Sequence, residues 1–174
     1  MKPAAIHQLS ISAGYGDAIG NEALQIRDAL RDAGYESEIF VEIVDPRMSF
    51  EVRPFPEYRK ITAPDNVVLL HYSMGSAVSK LAREIDDRLV LLYHNITPAE
   101  WFIPYELGIA HACAAGRLQL ASLCERTSLA LGDSEYNRQE LEELGFKPTG
   151  ILPLLLDLDS LDACADPMVL ELNK

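Results

Sequence analysis

The sequence has few cysteines, no excess of positive charge and no long apolar run. Its three cysteines, Cys113, Cys124 and Cys164, are odd in number and lack CxxC spacing, so neither a disulfide framework nor a zinc site is supported. No stretch approaches the roughly 18 apolar residues that a membrane-spanning helix needs, and Met1 to Pro3 lead into no secretory signal. We therefore expect a cytoplasmic protein without stable membrane insertion.

The charge balance is strongly acidic. With 15 basic and 27 acidic residues, the formal net charge is −12, which argues against a nucleic-acid backbone or an anionic membrane as partner. The 174 residues are 48% apolar, enough to bury the core of one domain. We expect residues 1–156 to form that domain and the acidic residues 157–174 to begin a linker.

Short apolar runs that end on polar residues predict the fold class. Residues 89–93 and 67–70 are apolar without alternation, which is typical of strands buried on both faces of a parallel sheet. Helical spacing follows several such runs, as in Ile19, Ala23 and Ile26. This alternation predicts an α/β, Rossmann-like, doubly wound and mostly parallel sheet with helices on both faces. The six predicted strands lie in residues 6–11, 35–44, 67–73, 89–93, 128–132 and 151–155.

Two connections contain residues of functional interest. The loop from Gly14 to Asn21 follows the first strand with GxGxxxG spacing, one residue longer than the dinucleotide fingerprint. A glycine loop before a helix can present N–H groups to a diphosphate, although the same glycines also suit a tight turn. Residues 45–65, rich in proline and holding basic and aromatic side chains, predict a long loop, either solvated or in contact with a substrate.

Histidines follow two of the buried strands, His71 after the third and His94 after the fourth. In an open α/β sheet, ligands bind beyond the carboxyl ends of the strands. A single histidine at such a place is more often structural, and we leave His71 with that interpretation. His7 is expected to pack beside the first strand, and His111 has the spacing of neither a metal site nor a nucleophile pair.

Three segments together resemble the N-terminal half of a GT-B glycosyltransferase of family 4. They are the loop Gly14 to Asn21, the sequence His94-Asn95-Ile96-Thr97-Pro98, and the segment Gly132 to Arg138. The resemblance covers essentially the whole chain, and each segment follows a predicted strand in the family's order. It implies a retaining, metal-independent transfer of a sugar from a nucleoside diphosphate sugar to a glycan, lipid or small-molecule acceptor.

The resemblance also implies roles for individual residues. His94 matches the family histidine that hydrogen-bonds the donor sugar near the reacting carbon, so we expect it to be catalytic. The expected diphosphate loop comprises Gly14, Gly16, Asp17, Gly20 and Asn21. The expected residues of the cleft and acceptor side are Tyr15, Asn95, Thr97, Ser134 and Asn137. No metal ligand and no cofactor other than the donor substrate is expected.

The family's nucleotide-binding half has no counterpart in these residues, so the resemblance implies that this chain alone is inactive. Two alternatives stay open: a non-catalytic doubly wound module that binds a nucleotide or a protein, and half of a GT-B-like sugar-nucleotide epimerase. The residues leave the sugar, the base, the acceptor and a homo-oligomeric state undetermined.

Overall fold

The computed structural model describes residues 2–156, in which strands alternate with helices. The strands are β1 (Ile6–Ser12), β2 (Ile39–Ile43), β3 (Arg53–Pro54), β4 (Val67–Tyr72), β5 (Arg88–Tyr93), β6 (Thr127–Gly132) and β7 (Thr149–Ile151). The helices are α1 (Ala18–Asp32), α2 (Ala77–Glu84), α3 (Leu107–Ser122) and α4 (Glu135–Glu143). The predicted linker 157–174 lies outside the described residues. No helix within residues 2–156 has both the length and the apolarity to cross a membrane.

The seven strands form one parallel sheet in the order β3-β2-β1-β4-β5-β6-β7. Strands β2 and β3 are added successively on one side of β1. The chain then returns to place β4 on the other side of β1, and β5, β6 and β7 follow in that direction. The strand order therefore reverses between β1 and β4, and the crevice beyond their carboxyl ends is the usual ligand site of such sheets. The predicted Rossmann-like, doubly wound fold is confirmed.

Helices cover the two faces of the sheet with separate apolar clusters. Ala23 of α1 packs with Ile39 and Val41, whereas Phe40 belongs to the cluster that α2, α3 and α4 cover. Because successive strand residues point to opposite faces, α1 lies on one face and the other three helices lie on the other. Leu9 and Leu70 join Phe40 in the larger cluster. Their neighbours in sequence therefore point to the face that α1 covers.

The proline-rich segment between β2 and β4 is more regular than predicted. Instead of an unbroken loop it contains β3 and two 3-10 turns, Pro46–Met48 and Phe55–Lys60. The two residues of β3 pair with Phe40 and Val41 at the outer edge of the sheet, where a proline removes no needed donor. A strand this short has no periodic pattern that a sequence could reveal.

The chain after Pro98 does not enter a long helix at once. Only a 3-10 turn forms at Ala99–Trp101, and α3 begins at Leu107, where the Glu106 carboxylate accepts the Gly108 N–H at 3.0 Å. Helix α3 continues through Gly116, where a Cβ would lie 2.6 Å from the Gly75 backbone nitrogen. That glycine permits close packing and does not end the helix. The last strand, β7, covers Thr149–Ile151 and not the predicted 151–155.

Candidate functional site

A buried polar cluster lies where the strand order reverses. We define the edge cluster as Gln8 of β1, Glu22 of α1, His71 of β4 and His94 directly after β5. Gln8 and Glu22 are 0% exposed, and the side chain of His94 is 3% exposed. Gln8 and His71 are the sequence neighbours of Leu9 and Leu70, which point away from α1. The side chains of Gln8 and His71 therefore point to the face of the sheet that α1 covers. The sheet order thus brings together four polar groups that are far apart in sequence.

Hydrogen bonds within the edge cluster have a defined direction. The side-chain N–H of Gln8 donates to the Ala23 carbonyl at 2.9 Å, which leaves the Gln8 oxygen as an acceptor. His71 Nε2 lies 2.9 Å from that oxygen and must donate to it. His71 Nδ1 then carries a lone pair, and it accepts from His94 Nε2 at 3.0 Å. In the neutral His94 ring, the remaining nitrogen, Nδ1, is consequently an acceptor.

Burial favours the uncharged form of both histidines. Burial, reinforced by the neighbouring His94, lowers the pKa of His71 to about 3. Burial also lowers the pKa of His94, although the carboxylates of Asp133 and Asp17 oppose that effect. The absence of charge agrees with the tautomers required by the hydrogen bonds, since each ring carries one proton.

Glu22 lacks hydrogen-bond partners. Both of its side-chain oxygens are buried and accept no hydrogen bond from the described residues, and Oε2 lies 3.7 Å from His94 Nε2. Burial raises the Glu22 pKa to about 7, and Asp133 adds to the rise. The nearby Leu155 N–H opposes it without reaching the geometry of a hydrogen bond. A carboxyl group left in this state costs stability, so its presence needs an explanation.

Acidic side chains border the outer side of His94. Asp133, at the carboxyl end of β6, places Oδ2 3.8 Å from His94 Nδ1. Asn137 of α4 is buried and donates to Asp133 Oδ1 at 2.6 Å, which orients that carboxylate. Asp17 also acts electrostatically on His94. We call Asp17 and Asp133 the acidic rim; it creates a negative potential that favours a cation or a developing positive charge beside Nδ1.

The glycine loop is organised as a tight helix start. Gly16 has a φ of +77°, and a Cβ at Gly20 would lie 2.8 Å from the Gly14 carbonyl oxygen. The Asp17 carboxylate accepts the Gly20 N–H at 3.0 Å and caps α1. This cap uses one donor of the expected diphosphate loop, while the N–H groups of the first two helical residues have no partner within the helix.

A pocket of about 540 Å³ lies beside the glycine loop. Its lining includes Tyr15, Gly16, Asn21, Arg27, Arg47 and Glu51. The two arginines are already paired, Arg27 with Glu51 at 2.7 Å and Arg47 with Asp45 at 2.8 Å. The Arg47 guanidinium also lies 5.0 Å from the centre of the Tyr15 ring. The pocket therefore offers hydrogen-bonding groups with little net charge.

The residues predicted for the site fall into three groups. His94, Asp17 and Asn137 meet at the edge cluster and its acidic rim. Tyr15, Gly16 and Asn21 line the neighbouring pocket. The others serve local structure or lie apart.

Two predicted site residues mainly stabilise turns. Asn95 has a φ of 69°, and its side-chain oxygen accepts the Ile96 N–H at 2.6 Å. Ser134 is the N-cap of α4 and accepts the Asn137 N–H at 3.3 Å. Thr97 is exposed on the same turn as Asn95. The contacts of Asn95 and Ser134 account for these two residues without a ligand.

Sequence reasoning missed Gln8, Glu22 and His71. His71 was interpreted as structural because nothing in the sequence states that its strand lies beside that of His94. A signal for Glu22 was present, since it occupies the stripe formed by Ile19, Ala23 and Ile26. A charged residue in the apolar stripe of a helix indicates a buried charge, which is rarely left without a partner.

No protein-family model matches the sequence, and no curated protein matches it either. The functional argument therefore depends on the fold and on the geometry of the edge cluster, the acidic rim and the pocket.

Proposed function

We propose that this chain is the acceptor-side half of a retaining glycosyltransferase of the GT-B type, which transfers a sugar from a nucleoside diphosphate sugar. One observation carries the proposal. The three segments that resemble family 4 meet at one place, where His94, Asp17 and Asp133 surround the same crevice. The sheet order 3-2-1-4-5-6-7 puts that crevice at the switch point.

The chemistry of sugar transfer suits the acidic rim. When a nucleoside diphosphate leaves, positive charge develops on the sugar ring, and carboxylates nearby stabilise that charge in the transition state. His94 Nδ1 bears a lone pair on the same side and is buried without a hydrogen-bond partner among the described residues, so a sugar hydroxyl could donate to it once the crevice opens. The hydrogen bonds through His71 and Gln8 keep this ring in one tautomer, so the acceptor is preorganised.

The diphosphate requires donors that this crevice supplies only in part. The acidic rim repels phosphate, and the Asp17 cap already occupies the Gly20 N–H. The first two N–H groups of α1 still point toward the crevice end of the helix, where an anion is favoured. We therefore propose that basic groups of a second, nucleotide-binding half carry most of the phosphate charge.

The pocket beside the glycine loop is the proposed acceptor site. Because Arg27 and Arg47 are paired with carboxylates, the pocket favours neutral, hydroxyl-rich molecules over anions. Asn21 provides an amide with both donor and acceptor atoms, and Tyr15 provides an aromatic surface against which a sugar ring can pack.

The test uses a protein that joins this chain to a nucleotide-binding half. Sugar nucleotides are screened for release of nucleoside diphosphate, with and without acceptor sugars. We expect acceptor-dependent release, and a His94→Gln variant should lose about 100-fold in kcat with an unchanged melting temperature. The matched control is His111→Gln, on an exposed position of α3.

Other outcomes would redirect the assignment. Conversion of the sugar nucleotide without any acceptor would favour an epimerase. Binding without turnover would favour a non-catalytic module. A His94→Gln enzyme with the wild-type rate would exclude His94 from the reaction.

A further inference from the structure

We propose that Glu22, His71 and His94 bind a divalent transition-metal ion such as Zn²⁺. A carboxylate oxygen of Glu22 and one ring nitrogen each of His71 and His94 all lie within 4.8 Å of one another. All three side chains are buried, so these atoms face one another and not the solvent. The arrangement is a set of two imidazoles and one carboxylate that converges on a common centre.

The separations suit an ion. His71 Nδ1 and His94 Nε2 are 3.0 Å apart, and His94 Nε2 and Glu22 Oε2 are 3.7 Å apart. Ligands about 2.1 Å from a metal are about 3.0 Å apart at right angles and about 3.4 Å apart in a tetrahedron. The two observed distances bracket the tetrahedral value, so these two pairs need shifts of only a few tenths of an ångström, and the Glu22–His71 pair lies within 4.8 Å.

The hydrogen bonds around the cluster hold His71 ready to bind. Gln8 accepts from His71 Nε2, which leaves Nδ1 as the unprotonated nitrogen; its lone pair accepts from His94 Nε2 and becomes free for an ion once that proton moves. A histidine that binds a metal usually donates its other ring N–H to an oxygen in this way. Coordination through His94 Nε2 would move its proton to Nδ1, which faces Asp133 Oδ2 at 3.8 Å. Both rings would then have an oxygen partner for the remaining N–H.

The unpaired oxygens of Glu22 provide an independent observation. In the described residues both oxygens are buried without a hydrogen-bond partner. A proton on Glu22 would remove its charge but would leave these atoms without partners. A metal ion removes both costs, because it neutralises the carboxylate and takes up its lone pairs.

The ligand types define the class of ion. Imidazole nitrogens suit zinc, iron, cobalt, nickel and copper, whereas magnesium and calcium prefer sets made only of oxygen. The ion would use His94 Nε2 and the sugar hydroxyl of the proposed transfer would use Nδ1, so the two proposals are coupled through this ring. An ion at the centre would change Nδ1 from an acceptor into a donor.

The test uses the untagged 174-residue chain after removal of metals with a chelator. Zn²⁺ is titrated by calorimetry, and Co²⁺ is titrated by visible absorption, which reports the coordination geometry. We expect one ion per chain, no heat with Mg²⁺, and at least a 100-fold loss of affinity in Glu22→Gln and in His71→Gln. The control variants Glu143→Gln and His111→Gln change exposed residues and should bind as the wild type does.

A fourth variant tests the orientation of His71. Gln8→Leu keeps the three ligands and removes the acceptor for the ring N–H, so affinity should fall about 10- to 100-fold. Circular dichroism confirms that each variant is folded. If a variant fails to fold, the wild-type Co²⁺ spectrum decides alone. No visible bands, a thiolate band in the near ultraviolet, or equal affinity in Glu22→Gln would overturn the proposal.

Discussion

A carboxylate is buried at each end of the sheet, and the two differ in their hydrogen bonds within the described residues. Asp87, just before β5 at the amino end, is 0% exposed and accepts hydrogen bonds from the hydroxyls of Tyr58 and Thr62. Arg126 also donates to the Asp87 carbonyl, at 2.5 Å. Glu22, at the carboxyl end, is equally buried and has no partner among the described residues.

This contrast indicates that Asp87 stabilises the fold, whereas Glu22 lowers its stability. Buried polar groups are almost always paired, and an exception calls for a reason such as a ligand or a catalytic role. The Asp87 network meets this rule within residues 2–156. The edge cluster does not, and it lies where open α/β sheets bind their ligands. Stability measurements can test whether the two ends differ as this geometry implies.

Replacement of Asp87 should have the largest effect. In Asp87→Ala the buried hydroxyl of Tyr58 loses its acceptor, and we expect the free energy of unfolding to fall by about 3 kcal/mol. Urea denaturation measures the change. The matched control is Asp86→Ala, which removes a neighbouring exposed carboxylate and should cost under about 0.5 kcal/mol. Equal losses in the two variants would show that the Asp87 network contributes nothing special.

Replacement of Glu22 should act in the opposite direction. The folded-state pKa of Glu22 is raised from 4.5 to about 7, so the metal-free protein loses stability as the pH rises through that range. In chelator at pH 8, we expect Glu22→Gln to be more stable than the wild type by about 2 kcal/mol. The difference should vanish below pH 4.5, where the carboxyl is protonated in both folded and unfolded chains.

The control for this second prediction is Glu143→Gln, which changes the exposed last residue of α4. Its stability should follow the wild type within about 0.5 kcal/mol at both pH values. A destabilised Glu22→Gln at pH 8 would mean that the native carboxylate has a stabilising partner after all.

The acidic rim should show the smallest change. Asn137→Ala removes the donor to Asp133 Oδ1, but that carboxylate is partly exposed and water can replace the amide. We expect a loss of about 1 kcal/mol in the free energy of unfolding. Gln139→Ala, an exposed change on the same helix, is the control. If Asn137→Ala lowered the free energy of unfolding as much as Asp87→Ala does, the acidic rim would be a structural element like the Asp87 network.

The fold was predictable because its signals are local. Apolar runs without alternation marked β4 and β5, and the stripe through Ile19 and Ala23 marked α1. The edge cluster was not predictable in the same way, since Gln8 and His71 meet only because β1 pairs with β4 across a long connection. Of the cluster, His94 alone was identified, through its place after a strand and its motif. Strand β3 was not predicted, because a strand of two residues is too short to show an alternation of apolar and polar residues.

The direction of the hydrogen bonds from His94 inward has a consequence for proton movement. The series ends on the Ala23 carbonyl, which can neither take up nor release a proton. This series of hydrogen bonds is therefore a closed end for proton conduction, and a proton can enter or leave it only at its His94 end, beside Glu22. The ring N–H of His71 should accordingly give a slowly exchanging resonance in nuclear magnetic resonance spectra.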